Sequence, residues 1–323
     1  SKPRIIGCAE NLPEHIALPR GCVDDFRHTM RQNGIKFRVH DKRCRGTPLE
    51  IQFTGQLRDN QLEAKSALLQ HDFGVLAATT AFGKTVLAAA IIAERGVNTL
   101  ILVHRRQLRD QWVQRLTEFL DLDKKEIGSL GAGRKKLKGK VDIAMLQSLV
   151  RKQTVDDRIA NYGQIIVDEC HHVSARNFEL AVRRAKAKFV LGLSATVTRK
   201  DGHHPIIFMQ CGPVRHRVEA QRHAETEKLI KQVIVRPTEF KSEIAPEQDG
   251  MQESYTTLMD CLVRDTRRND LICEDVVAAA GAGCMPLVLT ERTEHLDILA
   301  GQLERNRVHA IRLQGGMKKT ELA

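Results

Sequence analysis

Residues 75–85 read Val-Leu-Ala-Ala-Thr-Thr-Ala-Phe-Gly-Lys-Thr, and this stretch decides the fold. The apolar run Val75–Ala78 predicts a short strand. The apolar-rich stretch Lys84–Arg95 predicts a helix that stops at Gly96. Between them, Ala78–Thr85 fits the phosphate-loop pattern, with Ala in place of the first Gly. The strand, loop and helix together predict a phosphate-binding loop at the edge of an α/β sheet.

Each residue type in this loop suits phosphate chemistry. Backbone N–H groups of the loop and of the helix N-terminus point at phosphate oxygens. Gly83 lets the backbone approach closely, Lys84 offers a positive charge to the β- and γ-phosphates, and the Thr85 hydroxyl can bind Mg²⁺. The candidate nucleotide-binding residues of the loop are Thr79, Thr80, Ala81, Phe82, Gly83, Lys84 and Thr85.

Further apolar runs follow along the chain, separated by helical stretches. They are Thr99–His104, Val141–Leu146, Gln164–Asp168 and Phe189–Ser194. These runs are continuously apolar rather than alternating, which is typical of parallel strands covered by helices on both faces. The sequence therefore predicts an α/β fold built on a mostly parallel sheet.

A carboxylate pair, Asp168 and Glu169, follows one of these strands. In open α/β sheets, ligands bind beyond the carboxyl ends of the strands. Asp168 is predicted to hold Mg²⁺, directly or through water, and Glu169 to act as general base on the attacking water. Together with Lys84, they are the candidate catalytic residues. For the adjacent His171 and His172, a metal-ligand role is an alternative to a role in linking the nucleotide site to other segments.

In order along the chain, these segments resemble the motifs of superfamily 2 helicases. Ala78–Thr85 resembles motif I, Asp168–His171 is a variant of the DEAH box, and Ser194–Thr196 resembles motif III. Weaker matches, to the adenine-reading element and to motifs Ia, Ib and IV, are 57–64, 102–112, 143–149 and 287–292. The resemblance is closest to the branch with type III restriction-enzyme helicase subunits. It implies a RecA-like domain that binds ATP and Mg²⁺.

The resemblance also implies roles for residues outside the phosphate loop. Arg58 and Gln61 would read adenine. Coupling of the nucleotide site to nucleic acid would fall to His171, Ser194, Ala195 and Thr196. Contacts to a nucleic-acid strand would come from Arg105, Arg106, Gln147, Ser148, Arg199, Thr290 and Arg292. Trp112 shares a helix with Leu108, Val113 and Leu116, which favours packing over base stacking.

Composition changes along the chain predict four parts. They are an N-terminal accessory segment (1–50), a RecA-like ATP-binding domain (51–215), a connecting segment (216–254) and a partial second RecA-like domain (255–323). In the last part, Met285–Thr290 and Val308–Leu313 are predicted strands around a helix over Glu291–Asn306. The sequence ends before motifs V and VI, so we expect this chain to bind nucleotide but hydrolyse it weakly.

The net charge of +11 favours a nucleic-acid partner, DNA before RNA. Eight dispersed Cys, no CxxC pair and no long apolar run lead us to expect a cytoplasmic protein with reduced thiols. The resemblance implies a prokaryotic or phage-like source. The predicted function is an ATP-dependent helicase or translocase, with nuclease, methyltransferase or primase domains as possible partners. The alternatives are a nucleotide-gated duplex clamp in a restriction or conflict system, and a phosphate-loop enzyme such as a kinase.

Overall fold

The computed structural model describes residues 9–131, 133–151, 154–170, 175–195, 204–218, 232–241, 251–315 and 317. The chain forms two compact units, residues 1–230 and 231–323. No helix of the described residues is both long enough and apolar enough to cross a membrane.

The first unit alternates strands and helices. Its strands are β1 (Glu10–Asn11), β2 (Ile16–Ala17), β3 (Phe73–Ala77), β4 (Thr99–Val103), β5 (Gly128–Gly131), β6 (Arg134–Lys136), β7 (Val141–Met145), β8 (Val150–Arg151), β9 (Thr154–Val155), β10 (Gln164–Val167), β11 (Phe189–Ser194) and β12 (Val214–Arg217). Its α-helices are α1 (Val23–Gln32), α2 (Asp59–Leu69), α3 (Lys84–Arg95), α4 (Arg106–Phe119), α5 (Leu146–Leu149), α6 (Ala175–Arg184) and α7 (His204–Cys211).

Among the residues described, eight strands form one sheet in the order β12-β3-β11-β10-β4-β7-β5-β6. Every neighbouring pair is parallel except β5 and β6, which form an antiparallel hairpin at one edge. The predicted α/β class and the five predicted strands are confirmed, and helix α3 has the predicted bounds. Helix α3 ends because Gly96 adopts a left-handed conformation with φ of 56°.

The sheet is buried on both faces. One cluster includes Leu76, Ile101 and Ile166 with helices α3 and α4, and the other includes Val75, Leu100 and Ile165 with helices α6 and α7. Adjacent residues of one strand thus enter opposite clusters, because successive side chains of a strand point to opposite faces. Both faces of each central strand must therefore be apolar, which explains the continuous apolar runs.

The segment before α2 follows the amino-terminal ends of the sheet strands. Cys44 exchanges backbone hydrogen bonds with Lys186 and Lys188 ahead of β11, and Thr47 pairs with Asn98 ahead of β4. Arg20 donates to the carbonyls of Val182, Ala185 and Ala187 at the end of α6, at 2.6–3.2 Å. These contacts attach the predicted accessory segment to the edge opposite the phosphate loop.

The second unit contains helices α8 (Met251–Arg264), α9 (Thr266–Gly281) and α10 (Thr293–Arg305). Cys273, Val276, Leu299 and Leu303 form its buried core.

The two strands predicted for this unit, Met285–Thr290 and Val308–Leu313, are wrong. All their residues are described, and none is assigned to a strand. Val288, Val308 and Ala310 pack against the helical core, but Met285, Leu287, Leu289, Ile311 and Leu313 are 61–97% exposed. The two runs are apolar enough for strands but lack the paired backbone neighbours that define a sheet.

Candidate nucleotide site at the carboxyl edge of the sheet

The phosphate loop links β3 to α3 at the carboxyl edge of the sheet. Thr80–Phe82 form a single 3₁₀ turn, and Gly83 follows with a left-handed φ of 83°. A Cβ added at Gly83 would lie 2.6 Å from Gln61 Nε2, so both the conformation and the space require glycine. Helix α3 then begins at Lys84 with no side-chain cap and no acidic residue in its first turn. Its first N–H groups are therefore suited to an anion.

Arg58 and Gln61 brace this loop from helix α2. The Gln61 amide donates from Nε2 to the Phe82 carbonyl at 2.7 Å and accepts at Oε1 from the Arg58 backbone N–H at 2.9 Å. The Arg58 guanidinium donates to the carbonyls of Phe82 at 2.9 Å and Ala81 at 3.4 Å. Both side chains thus touch the phosphate loop itself, and their predicted role in reading adenine stays a prediction.

The structure brings the three predicted catalytic residues together. Lys84 Nζ donates to the carbonyls of Ala78 at 3.0 Å and Thr79 at 3.3 Å, and lies 3.6 Å from Glu169 Oε1. Lys84 and Asp168 are each 6% exposed. Glu169 follows β10 with a left-handed φ of 46°, a conformation that costs a non-glycine residue energy and is often found at functional sites. The backbone at the end of β10 therefore places both carboxylates near Lys84.

Asp168 is held on both carboxylate oxygens. The indole N–H of Trp112 donates to Oδ2 at 2.7 Å, and the backbone N–H of Glu169 donates to Oδ1 at 3.0 Å. Burial raises the pKa of Asp168 above its ordinary value, while the hydrogen bond from Trp112 and the charge of Lys84 act in the opposite direction. The sequence analysis predicts only a packing role for Trp112, but its buried indole also donates a hydrogen bond to Asp168.

Ser194, at the end of β11, touches both the phosphate loop and the segment after β10. Its carbonyl accepts from the Ala78 N–H at 2.9 Å, and its side chain hydrogen-bonds to the buried Cys170 thiol. The Cys170 N–H in turn donates to the Leu193 carbonyl. Ala195 is half-buried beside Ser194. The other predicted coupling residues, His171 and Thr196, lie outside the described residues, so the coupling role stays a prediction.

Four predicted nucleic-acid contacts lie at the same edge of the sheet. Arg105 and Arg106 are exposed where β4 passes into α4, and Gln147 and Ser148 lie in the short helix after β7. The Gln147 amide donates to the His104 carbonyl at 3.1 Å, which ties the two segments together. A fifth predicted contact, Arg199, lies outside the described residues.

Thr290 and Arg292 belong to the second unit, and their polar groups contact other residues of that unit. The Thr290 hydroxyl lies 3.0 Å from His295 Nδ1, and the Arg292 backbone N–H donates to that hydroxyl at 3.3 Å. The Arg292 guanidinium lies 4.0 Å from Asp260. These contacts hold the start of α10, and a nucleic-acid role for either residue stays a prediction.

A cleft of about 590 Å³ opens between the phosphate loop and helix α4. Its lining includes Lys84, Thr85, Asp168 and Glu169, together with Gln111 and Arg115 of α4. The residues fit a magnesium nucleotide: the helix N-terminus and Lys84 suit phosphates, and the Thr85 hydroxyl and Asp168 carboxylate are oxygen ligands that suit Mg²⁺. The buried Thr79 hydroxyl also has no hydrogen-bond partner among the described residues.

Residues 54–199 match the family described as the type III restriction enzyme, res subunit. The matched range contains the phosphate loop, the carboxylate pair and Ser194. The resemblance predicted from the ordered motifs is therefore confirmed for residues 54–199.

Similar proteins include further helicases. The chain is 28% identical over 283 residues to a putative ATP-dependent RNA helicase of Acanthamoeba polyphaga mimivirus, covering 84% of this chain and 54% of the relative. It is 31% identical over 169 residues to a DNA 3'-5' translocase of Sulfurisphaera tokodaii, covering 52% of this chain and 37% of the relative. The chain thus spans about half the length of the first relative and less of the second.

Among solved structures, the UvsW protein of bacteriophage T4 matches with a TM-score of 0.51 at 14% sequence identity. The match covers 94% of this chain and 64% of the T4 chain. At this identity the likeness concerns the fold alone, and it supports the predicted α/β fold with a parallel sheet.

The sequence missed three contributors to the site. They are the Trp112 hydrogen bond, the Cys170 link to Ser194, and the face of α4 that lines the cleft. One signal was available for the first: a buried indole N–H is a donor that needs an acceptor. Nothing in the local sequence identifies that acceptor, because Trp112 and Asp168 lie 56 positions apart.

Proposed function

We propose that this chain is the ATP-binding core of a nucleic-acid helicase or translocase, with DNA as the favoured track. The observation that carries the proposal is the convergence of Lys84, Asp168 and Glu169 beside an uncapped helix N-terminus. The curated relatives support both a DNA and an RNA track, because one is called an RNA helicase and another a DNA translocase.

Each residue has a defined task in this proposal. Lys84 and the first N–H groups of α3 bind the β- and γ-phosphates, and Thr85 and Asp168 hold Mg²⁺. Glu169 accepts a proton from the attacking water. Bound Mg²⁺-ATP supplies the phosphoanhydride bond whose hydrolysis drives movement. Ser194 and Cys170 link this site to neighbouring strand ends.

The nucleotide site is tested by binding of a fluorescent ATP analogue with Mg²⁺. We expect Lys84→Ala to weaken binding at least tenfold, since the variant loses the buried charge nearest the loop. Lys65→Ala is the matched control, because Lys65 is a lysine of the same unit that pairs with Glu94 at the surface. Equal binding by wild type and Lys84→Ala would contradict the proposed site.

The nucleic-acid track is tested through salt dependence. If Arg105 and Arg106 each neutralise one phosphate, their double substitution by Ala lowers the slope of log affinity against log salt by about 2. The same affinities are measured for single-stranded DNA, duplex DNA and RNA, with and without nucleotide. An unchanged slope would remove these two arginines from the interface.

A second candidate function is a nucleotide-gated translocase or clamp that moves on duplex DNA without separating strands. The observation that favours this second function is the similarity to a protein named a DNA 3'-5' translocase. Strand-displacement and triplex-displacement assays in parallel separate the two functions: unwinding is required only for the first, and duplex tracking is sufficient for the second.

A further inference from the structure

Helix α4 presents one face to the nucleotide cleft. Leu108, Gln111, Trp112 and Arg115 recur at intervals of three and four residues and all line the cleft. The same helix begins at Arg106, directly beside Arg105, and both arginines are exposed. Since an α-helix rises 1.5 Å per residue, Trp112 lies about 9 Å along the axis from Arg106. One rigid element therefore connects the predicted nucleic-acid edge to the cleft.

Trp112 is the residue of this face that contacts a candidate metal ligand. Its indole is 1% exposed, and its N–H reaches Asp168 Oδ2 at 2.7 Å. An ionised carboxylate accepts about four hydrogen bonds or metal contacts, so the two N–H donors leave lone pairs of both oxygens for a cation. The indole N–H and the Glu169 N–H together fix how those lone pairs are aimed.

We propose that Trp112 is a positioning residue that orients the Asp168 carboxylate for Mg²⁺, and that α4 transmits contacts at Arg105 and Arg106 to this carboxylate. This inference rests on the proposed function, in which Asp168 holds the metal. Groups that hydrogen-bond to metal ligands change metal affinity about 10–100-fold when they are removed. A shift of the helix would move the indole N–H and so the carboxylate.

The first experiment titrates Mg²⁺ into protein mixed with a fluorescent ATP analogue. For Trp112→Phe we expect the Mg²⁺ concentration at half-saturation to rise at least tenfold, while nucleotide binding in EDTA stays within twofold of wild type. Leu116→Ala is the control, because Leu116 is fully buried on the same helix and its side chain has no hydrogen-bond donor for Asp168. A purely structural role of Trp112 predicts no selective Mg²⁺ effect, or the same effect in both variants, and either result overturns the inference.

A second readout does not depend on the folding of a Trp112 variant. Trp112 is the single tryptophan of the chain, so the protein's tryptophan fluorescence reports on the surroundings of this one indole, which include Asp168. We expect the emission of the otherwise wild-type protein to change when Mg²⁺ is added to its nucleotide complex, and to change again when DNA is added. We also expect Asp168→Asn to alter the emission of the ligand-free protein. Unchanged emission in all three comparisons overturns the inference.

A double-variant cycle tests whether Trp112 acts through Asp168. If it does, Trp112→Phe has little further effect on Mg²⁺ dependence in the Asp168→Asn background. Additive effects overturn the inference. If wild-type protein shows no Mg²⁺-dependent nucleotide binding, the proposed function fails and the inference fails with it. If wild type depends on Mg²⁺ and Trp112→Phe matches it, the inference alone fails.

Discussion

Strand β4 of the first unit and residues 285–290 of the second have similar apolar sequences but different structures. Thr99–Val103 are at most 2% exposed and pair with β10 on one side and β7 on the other. Met285, Leu287 and Leu289 are 97%, 78% and 84% exposed, and the segment is not assigned to a strand. An apolar run is therefore a local tendency, and it becomes a sheet strand only where neighbouring strands supply hydrogen-bond partners.

The largest expected difference between these two segments is in amide hydrogen exchange. Amides of Leu100 and Leu102 lie in a buried, paired strand and should exchange only when the unit opens globally. Amides of Leu287 and Leu289 have no ladder and should exchange almost without protection. For a unit of ordinary stability the rates should differ by roughly 10³ or more. Exchange followed by mass spectrometry measures this, and similar protection in both segments would contradict the comparison.

Truncating a side chain in each of the two segments should change the free energy of unfolding by different amounts, and this difference should be smaller than the difference in exchange rates. Ile101→Ala opens a cavity in the sheet core and should lower the free energy of unfolding by about 2–5 kcal/mol. Leu287→Ala removes an exposed side chain and should change it by less than about 0.5 kcal/mol. Calorimetry of the full chain gives both values, with Trp112 fluorescence identifying the transition of the first unit. Comparable losses would show that Leu287 is buried in solution.

The N-terminal segment contrasts with residues 285–290, because its polar groups have hydrogen-bond partners in the rest of the first unit. Burial lowers the pKa of the Arg20 guanidinium to about 10, so it remains charged at neutral pH while donating to three carbonyls of the first unit. Arg20→Ala should lower the free energy of unfolding by about 2–3 kcal/mol, since hydrogen bonds to charged groups are worth about that much.

The control for Arg20 is an arginine of the same segment at the surface. Arg43→Ala removes ion pairs with Asp41 and Asp72, all with side chains 35–52% exposed, and should cost no more than about 1 kcal/mol because such surface pairs contribute little. Chemical denaturation monitored by Trp112 fluorescence ranks the two variants. A larger loss for Arg43→Ala would mean that the Arg20 contacts do not attach the segment.

The smallest predicted effect concerns pH and the second unit. Burial lowers the pKa of His295 below its ordinary value of about 6.5, and the Arg268 cation lowers it further. The unfolded chain therefore takes up this proton at a higher pH than the folded unit does. The free energy of unfolding should fall as the pH drops through about 6.5, and the fall should end below the folded pKa.

This pH effect is measured from the calorimetric transition of the second unit between pH 7.5 and 5. His295→Gln keeps a polar side chain beside Asn269 and Thr290 but cannot titrate, so its transition should lose this pH dependence. An unchanged dependence in the variant would assign the effect to another group.

The sequence by itself determined the α/β class, the five central strands and the positions of the three predicted catalytic residues at strand and helix ends. Parallel strands buried on both faces must be apolar at every position, and a phosphate loop needs its Gly-Lys-Thr in local order. These requirements apply to residues that are neighbours in the sequence, so they can be recognised from one amino-acid sequence.

Only the tertiary structure decided the remaining features. It paired the indole of Trp112 with Asp168, placed Gln61 and Arg58 on the phosphate loop, attached Arg20 to the end of α6, and left residues 285–290 unpaired. Each of these outcomes depends on the distance between groups far apart in sequence. From the sequence, a hydrogen-bond donor or an apolar run predicts the kind of partner that would stabilise it. Whether that partner lies close by depends on the folded chain.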